Sequence, residues 1–290
     1  MHNLLIIDGN ALVYQAFFAL KNLKNGGLYG AIRKTLKFLK TKKYFNIIFA
    51  FDKSKKTFRT EIDINYKIQR KTPVLLIKQL KLFQNFLNFT KISYIELDNF
   101  EADDLIGSFA KKYANSFNVY IWTIDKDLLQ LLTIKNVFVL MYSKKEKKII
   151  EYNQNNVYQY FGFYPKHVVD LKALSGDKSD NISGIKGISL KCANLLLTIF
   201  QDLDNIYANI YSVAQKLDQY LLDNNLKYRL NTLRIQNLLL YNKELAYKCR
   251  KLAKIITSLP INLDLKQINF NSKNANLFFQ QYSFKSLQTK

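Results

Sequence analysis

Short apolar runs alternate with helical patterns through the first half of the chain. The runs are rich in Ile, Val, Phe and Tyr, which is typical of buried strands. They cover residues 4–8, 45–52, 92–97, 119–125 and 137–142. Helical periodicity between them covers residues 29–40, 74–89 and 103–113. Because strands that alternate with helices form parallel sheets, the pattern predicts an α/β fold. We expect its mostly parallel sheet to have helices on both faces.

The pattern changes near residue 165, beyond which helical periodicity dominates. Helices are predicted at 168–174, 190–200, 213–222 and 230–240. We therefore expect an α/β part at 1–165 and a helical part at 166–290. No apolar stretch approaches the roughly 20 residues that a membrane span needs. The short run at 4–8 indicates a buried strand rather than a signal peptide.

The composition narrows the class of protein. The formal net charge of +22 suggests a polyanionic partner such as nucleic acid. A second explanation stays open, because Lys, Asn, Ile, Phe and Tyr are the residues of AT-rich codons. With 2 cysteines and 2 histidines, the chain offers neither a disulfide framework nor the ligands of a structural zinc site. A reducing cytoplasm fits this composition.

Aspartate ends three of the predicted strands. These residues are Asp8, Asp52 and Asp125, and Asp127 lies on the same side as Asp125 if that strand continues. A single aspartate in such a position is most simply a turn former or a helix cap. Three of them indicate a site, because ligands bind beyond the carboxyl ends of parallel strands.

Further acids lie outside the predicted strands. The sequence EADD at 101–104 opens a predicted helix, where the helix dipole also favours acids. Asp177 and Asp180 are three residues apart and can share one face. Together with the strand ends, these positions make a set of nine acids. The nine are Asp8, Asp52, Glu101, Asp103, Asp104, Asp125, Asp127, Asp177 and Asp180.

The acidic set predicts a metal site. Carboxylate ligands without His or Cys suit a hard cation, so we expect Mg²⁺ or Mn²⁺. Nine acids are more than one ion needs. They suit two ions, as in phosphodiester hydrolysis, where metals roughly 4 Å apart clamp the attacking and leaving oxygens. Calcium storage is the alternative, but the spacing of an EF-hand loop is absent.

A basic segment at 53–70 could hold a nucleic acid. If its end is helical, Tyr66 and Arg70 lie one turn apart with Lys67 beside them. The cationic side chains can then neutralise phosphates, and Tyr66 can stack on an unpaired base. A solvated basic helix face explains the same residues equally well.

A second basic segment covers residues 183–191. Gly184 and Gly187 flank a tight connection into a predicted helix, where backbone N–H groups can hold a phosphate. Taken alone, this G-x-x-G turn is a weak signal of nucleic-acid binding.

The motifs around these residues resemble the 5′-nuclease family, specifically the 5′-to-3′ exonuclease domain of bacterial DNA polymerase I, which is related to flap endonucleases. The matching stretches occur in the family's order and spacing over nearly the whole chain. They are IIDGNALVYQAFFAL at 6–20, FAFDKSKKTFR at 49–59, YKIQR at 66–70, FEADDLIGSFA at 100–110, TIDKDLLQLL at 123–132 and LSGDKSDNISGIKGI at 174–188. Three positions depart from the family pattern: Ser183 replaces a proline, Ser189 a frequent glycine, and Cys192 a frequent threonine or serine.

The resemblance implies a PIN-like α/β core with a helical arch at about 53–90. It also implies a helix–three-turn–helix element at about 167–200 that grips duplex DNA, where K⁺ could assist. The implied ligands of the catalytic Mg²⁺ are Asp8, Asp52, Glu101, Asp103 and Asp104, with Lys67 and Arg70 in the catalytic set. Those of the second Mg²⁺ are Asp125, Asp127, Asp177 and Asp180. The implied DNA contacts are Lys53, Arg59, Tyr66, Lys67, Arg70, Gly184, Lys186, Gly187 and Lys191.

The resemblance thus implies a nuclease that removes RNA primers and 5′ flaps during replication and repair. Its expected substrate is DNA with 5′ flaps, nicks or RNA primers. We expect a free-standing monomer at the nucleoid, without membrane attachment, that acts beside a separate DNA polymerase and ligase. Two alternatives stay open: a PIN-type ribonuclease acting on single-stranded RNA, and an inactive structure-specific DNA-binding protein. The full acidic set argues against the inactive protein, because pure binding would improve without those charges.

Overall fold

A computed structural model describes residues 1–226, 230–261, 263 and 265–288 of the chain. The described residues form two compact units. The first unit comprises Met1–Thr57, Lys71–Asn153 and the described residues from Ile255 onward, and the second comprises Phe58–Arg70 and Gln154–Lys254. The sequence suggested one boundary near residue 165. The structure instead groups the residues after 254 with the N-terminal unit.

The first unit is built on one sheet. Its strands are β1 His2–Asp8, β2 Asn46–Thr57, β3 Tyr94–Asn99, β4 Phe117–Trp122, β5 Val137–Ser143 and β6 Lys148–Tyr152. The strand order is β3-β2-β1-β4-β5-β6, and all neighbours are parallel except the antiparallel pair β5 and β6. The mostly parallel sheet expected from the sequence is therefore confirmed.

Two strand ends differ from the predicted ones. β2 continues to Thr57 rather than ending at Asp52, with a register shift against β3 between these residues. β4 ends at Trp122 and a 3₁₀ helix follows, so the expected strand carrying Asp125 and Asp127 was wrong at its end. The sequence pattern did not predict β6, of which only the third and fifth residues are buried.

The helices are α1 Gly9–Ala19, α2 Gly26–Lys40, α3 Phe58–Ile62, α4 Val74–Phe89, α5 Ala102–Tyr113, α6 Val157–Phe161, α7 Val168–Ser175, α8 Leu190–Phe200, α9 Leu203–Ala208, α10 Val213–Asp223, α11 Thr232–Tyr241, α12 Lys243–Ala253 and α13 Ser272–Gln281. Short 3₁₀ helices cover Lys126–Thr133, Pro165–His167, Ile210–Ser212 and Lys285–Leu287. The helices α1, α2, α4, α5 and α13 belong to the first unit, and the others to the second. The bounds of α4 and α8 are those predicted from the sequence. No helix among the described residues is long and apolar enough to cross a bilayer.

Helices cover both faces of the sheet in the first unit. Leu5, Ile7 and Phe49 are buried on one face in a core shared with side chains of α1, α2 and α4. Leu4 and Ile6 alternate to the other face, where α5 contacts the strands. Burial on both faces explains why the strands read as continuous apolar runs rather than as alternating ones.

The second unit is helical, as expected. Its core includes Leu174 of α7, Leu217 of α10 and Leu239 of α11. Tyr66 joins this core from a series of turns at 64–69. Along the chain, the segment expected to form a helical arch consists of the end of β2, α3, these turns and α4.

Candidate active site and nucleic-acid interface

Asp8 lies where β1 ends and α1 begins. One carboxylate oxygen accepts the Ala11 N–H at 2.8 Å and so caps α1, while the other accepts the Thr123 hydroxyl at 3.0 Å. The pKa of Asp8 is raised to about 7, chiefly because the carboxyl is buried. The charges of Asp52 and Asp125 also raise this pKa, against the lowering effect of the two hydrogen bonds. Asp52 and Asp125 therefore both lie close enough to Asp8 to repel its carboxylate.

Asp52 is held from two sides. The Asn10 side-chain amide donates to one carboxylate oxygen of Asp52 at 2.7 Å, and the Ala102 N–H donates to the other at 2.7 Å. The Asp52 N–H in turn donates to the Asn10 side-chain oxygen at 3.2 Å. Because Ala102 is the first residue of α5, Asp52 receives the positive end of that helix dipole.

The three acids at the start of α5 differ in exposure. Asp104 is fully buried, Glu101 is nearly so, and Asp103 is half-buried. One oxygen of Asp104 accepts the Glu101 N–H at 3.1 Å and the other accepts the Ile256 N–H at 2.8 Å. Asp104 therefore fixes the first turn of α5 and anchors the segment that follows residue 254.

Asp125 and Asp127 lie at the start of the 3₁₀ helix after β4. Asp125 caps this helix by accepting the Asp127 N–H at 2.9 Å. The Asp125 N–H donates to the Thr123 hydroxyl oxygen at 3.0 Å. Since the same hydroxyl donates to Asp8, Thr123 links the end of β1 to the acids that follow β4.

Seven of the nine acids lie in the first unit. They are Asp8, Asp52, Glu101, Asp103, Asp104, Asp125 and Asp127. All their donor atoms are carboxylate oxygens, which hard divalent cations prefer. The pKa of Asp8 is raised first by burial and then by the charges of Asp52 and Asp125, and a bound cation would offset both effects. The donor set therefore fits Mg²⁺ or Mn²⁺.

Asp177, in the second unit, is tightly held by its neighbours. It forms an ion pair with Lys172 and accepts the N–H and hydroxyl of Ser179, both at 2.7 Å. Its backbone forms an isolated antiparallel bridge with Ile182. Burial alone would raise the pKa of Asp177, but Lys172 and Ser179 lower it to about 2. Asp177 is therefore ionised at neutral pH.

Asp180 is bound by the turns at 64–69 and the residue that follows them. The Arg70 guanidinium pairs with Asp180 and also donates to the Ser179 carbonyl at 3.2 Å. The Tyr66 hydroxyl donates to Asp180 at 3.4 Å, and the Lys67 N–H donates to the Asp180 carbonyl at 2.9 Å. The helix expected over Tyr66 to Arg70 was wrong, because Lys67 has a φ of 52° and the backbone forms turns. The turns place Tyr66 in the core and Arg70 on a carboxylate, not side by side in a groove.

Arg59 is buried, with 2% of its surface exposed. Its guanidinium donates to the Leu252 carbonyl and to the Lys254 carbonyl, each at 2.9 Å, and lies 4.5 Å from the Phe58 ring centre. These carbonyls are at the C-terminal end of α12, where a cation is favoured by the helix dipole. A DNA contact by Arg59, as expected from the resemblance, would require the side chain to leave this position.

The turn at 184–188 requires glycine. Gly184 has a φ of 60° and Gly187 a φ of 102°, in the region that other residues rarely adopt. The neighbouring Ile185 N–H donates to a carbonyl of α7 at 2.8 Å, which holds the turn against that helix. Ser189 then caps α8 by accepting the Cys192 N–H at 3.2 Å. The serine that departs from the family pattern therefore provides the cap of this helix.

Three of the lysines expected to contact DNA are exposed, and the fourth, Lys67, is half-buried. Lys186 and Lys191 lie on the surface of the second unit, in the glycine turn and in the first turn of α8. Lys53 lies on the surface of the first unit in β2, where it pairs with Asp98. Their exposure allows phosphate contact.

Two family models match nearly the whole chain. The 5′-3′ exonuclease N-terminal resolvase-like domain matches residues 3–162, and the 5′-3′ exonuclease C-terminal SAM fold matches residues 163–276. The chain belongs to the 5′-3′ exonuclease family. This membership confirms the family resemblance seen in the sequence motifs.

Individual relatives agree with this assignment. The 5′-3′ exonuclease of Buchnera aphidicola subsp. Baizongia pistaciae is 34% identical over 97% of this chain and 92% of its own length. DNA polymerase I of Caldicellulosiruptor bescii is 34% identical over 98% of this chain, which spans only 33% of that polymerase. A bacteriophage T5 flap endonuclease, solved with DNA and metal ions, has a TM-score of 0.68 at 22% identity, covering 88% of this chain and 89% of its own. At that identity the likeness shows the fold alone.

Sequence reasoning missed three residues that position the acids of this 5′-3′ exonuclease family member. Asn10 holds Asp52, Thr123 holds Asp8, and Lys172 holds Asp177. Asn10 and Thr123 belong to the quoted motifs IIDGN and TIDKD, so their position beside an acid was a usable signal. Lys172 had no such signal, because it lies in the middle of a helical pattern.

Proposed function

We propose that this 5′-3′ exonuclease family member is a divalent-metal-dependent nuclease that hydrolyses DNA phosphodiesters near 5′ ends, including those of 5′ flaps. The repulsion of Asp8 by Asp52 and Asp125, which adds to the larger effect of burial in raising the pKa of Asp8, carries this proposal. Such repulsion is costly unless a cation binds, and cations of this kind activate phosphodiester hydrolysis.

The carboxylates would act as ligands rather than as proton carriers. Divalent ions supply Lewis-acid activation of water and neutralise the charge of the phosphodiester. Asn10 and the Ala102 N–H fix both oxygens of Asp52, and Thr123 fixes one oxygen of Asp8. These contacts orient the donor atoms before any substrate arrives, so little reorganisation is needed when it binds.

The proposed metals are two Mg²⁺ ions, with Mn²⁺ as the alternative. The first would be held by residues among Asp8, Asp52, Glu101, Asp103 and Asp104. The assignment of Asp125, Asp127, Asp177 and Asp180 to the second ion, and of K⁺ to the glycine turn, stays a prediction from the resemblance. Asp104 has a further role supported by its contacts, because it also anchors the Glu101 and Ile256 backbones.

The proposed DNA contacts fall into two groups. Lys53, Lys67 and Arg70 would meet the 5′ end, whereas Lys186, Lys191 and the backbone around Gly184 and Gly187 would hold the duplex. Arg59 and Tyr66 would act by positioning, because both side chains are buried. The proposed setting is the cytoplasm, at the nucleoid, where a separate polymerase and ligase would complete primer replacement.

The test uses a 5′-labelled flap duplex, with and without Mg²⁺. Mg²⁺-dependent release of short 5′ products is expected from the wild type and not from Asp8→Asn. The matched control is Asp223→Asn, which removes an exposed acid at the C-terminal end of α10, outside every proposed metal and DNA contact, and should keep full activity. Cleavage by Asp8→Asn at the wild-type rate, or cleavage without a divalent ion, would refute the proposal.

A single-stranded RNA of the same length separates the proposed function from that of a PIN-type ribonuclease. We expect the flapped duplex to be cut far faster than the RNA.

The proposed duplex contacts are tested by a double substitution. Lys186→Ala combined with Lys191→Ala should weaken duplex binding at low salt and reduce the salt dependence of that binding. An unchanged salt dependence would assign the duplex contacts to other residues.

A further inference from the structure

A groove of about 300 Å³ lies in the first unit, between α2 with the loop after it and the outer strands β5 and β6. We name it the β5–β6 groove. Its apolar walls come from Phe38, Tyr44, Leu140 and Ile149. Its polar lining consists of Lys34, Lys37, Thr41, Lys43 and Glu151. None of the nine acids contributes to it.

The groove exists because the sheet continues past the helix that covers it. Trp122 of β4 is fully buried, and its ring lies 6.4 Å from that of Phe38 on α2. Leu140 pairs with Trp122 on one side and with Glu151 on the other, so these residues share one face of the sheet. On the same face Ile149, two residues before Glu151, is 37% exposed. An apolar surface is thus left open beside α2.

The groove is lined by three cations and one acid. Lys34 lies 5.0 Å from the centre of the Trp122 ring, and Lys43 lies 4.8 Å from the centre of the Tyr120 ring. Burial lowers the pKa of Lys34, and the charges of Lys37 and Arg33 lower it further. Lys34 and Lys43 therefore lie against aromatic rings, and an anion in the groove would relieve the repulsion between Lys34 and Lys37.

Aromatic walls beside lysines fit one class of small molecule. Purine and pyrimidine bases stack on aromatic side chains, and lysine ammonium groups donate charge-assisted hydrogen bonds to phosphate oxygens. A volume of about 300 Å³ is at the lower end of the range for small-molecule sites, which suits one nucleotide rather than a longer strand.

We infer that the β5–β6 groove binds a free nucleoside monophosphate, with its base against Phe38 and Tyr44 and its phosphate on Lys37 and Lys43. This site is separate from the acidic cluster. Binding in the groove requires no divalent ion, so a test of this inference does not depend on the proposed nuclease activity.

The chain's single tryptophan gives a local readout. Trp122 contacts Lys34, which lines the groove, so a ligand that displaces Lys34 should change the Trp122 fluorescence. Deoxyadenosine monophosphate is titrated into the full chain in the presence of EDTA, with a correction for its own absorbance. Equilibrium dialysis with the labelled nucleotide measures the same affinity without depending on the fluorescence change.

The expected result is saturable binding in the millimolar range or tighter. Lys37→Ala and Lys43→Ala should each weaken it about tenfold, as the loss of one charge-assisted hydrogen bond does. Glu151→Gln should strengthen it, because the acid that opposes the phosphate is removed. The matched control is Lys40→Ala, on the same helix but outside the lining, which should bind like the wild type.

Two further ligands test the assignment of the base and phosphate contacts. Deoxyadenosine alone and inorganic phosphate alone should each bind at least about tenfold more weakly than the nucleotide, since each loses one set of contacts. No saturable binding by either method would overturn the inference. So would equal affinity in Lys37→Ala, Lys43→Ala and wild type, or binding of a 5′-phosphorylated oligonucleotide without binding of the mononucleotide.

Discussion

Replacing Asp8 by asparagine should stabilise the metal-free protein while abolishing cleavage. Asparagine keeps the shape of the side chain and removes its charge. Its carbonyl can still accept the Ala11 N–H, and its amide can donate to the Thr123 hydroxyl, which rotates to accept. The Asp125 N–H can keep its bond to the same hydroxyl, since that oxygen has two lone pairs. The substitution therefore changes charge with little change in packing.

The size of the effect follows from the pKa. Raising the pKa of Asp8 from 3.8 to about 7 corresponds to about 4 kcal/mol of destabilisation when the group is ionised. The Asp8→Asn variant would recover about 2–4 kcal/mol of this at pH 8, because the buried amide has a smaller desolvation cost than the carboxylate. The sign follows from linkage, since the folded state holds the proton more tightly than the unfolded state. The penalty is absent below pH 4, grows between pH 4 and pH 7, and is complete above pH 7.

Urea unfolding followed by Trp122 fluorescence reports on the first unit, because this tryptophan lies in β4. In EDTA at pH 8, Asp8→Asn should unfold at higher urea than the wild type, and the difference should shrink towards pH 4. Added Mg²⁺ should stabilise the wild type more than the variant. If the wild type is as stable as the variant in EDTA at pH 8, the electrostatic account of the acidic cluster is wrong.

Three further predictions concern the second unit. Arg59→Met should lower the free energy of unfolding by about 3 kcal/mol, because two carbonyls at the end of α12 lose a buried charged donor; urea unfolding followed by circular dichroism measures this. Gly184→Ala should cost about 3 kcal/mol or more, because its Cβ would lie 2.1 Å from a backbone nitrogen at a φ of 60°. The control is Gly162→Ala, where φ is 74° but no atom lies within 4 Å of the added Cβ, so the loss of stability should be only about 1 kcal/mol. Thermal melts of the two variants measure both losses, and equal losses would contradict the steric account. Lys172→Met should raise the pKa of Asp177 from about 2 towards its ordinary value. The ionised carboxylate stabilises the fold above pH 4 and this contribution is lost as the pH falls towards 2, so the contribution should be smaller in the variant. An NMR titration of the Asp177 carboxyl in the variant measures its pKa, and a value still near 2 would refute the prediction.

The sequence alone was sufficient for the α/β class and for the position of Asp8 at the end of β1. Buried parallel strands must be continuously apolar, so β1 and β5 could be predicted from their composition. An aspartate directly after such a run must lie near the edge of the sheet, which placed Asp8 correctly. The prediction of Asp125 as a strand residue was less accurate, because Thr123 and Asp125 start a 3₁₀ helix through local hydrogen bonds that leave no apolar pattern.

The tertiary structure decided which side chains hold the acids and which basic residues are available. Asn10 and Asp52 are 42 residues apart, and Arg59 and Leu252 are 193 apart, so no local pattern could pair them. A basic segment can be read from composition, but burial depends on what packs against it. Tyr66 and Arg59 therefore read as candidate DNA contacts in the sequence and lie buried in the fold. The sequence identifies which residues can act as acids, bases or caps, whereas their desolvation and charge pairing depend on segments that are distant in the chain.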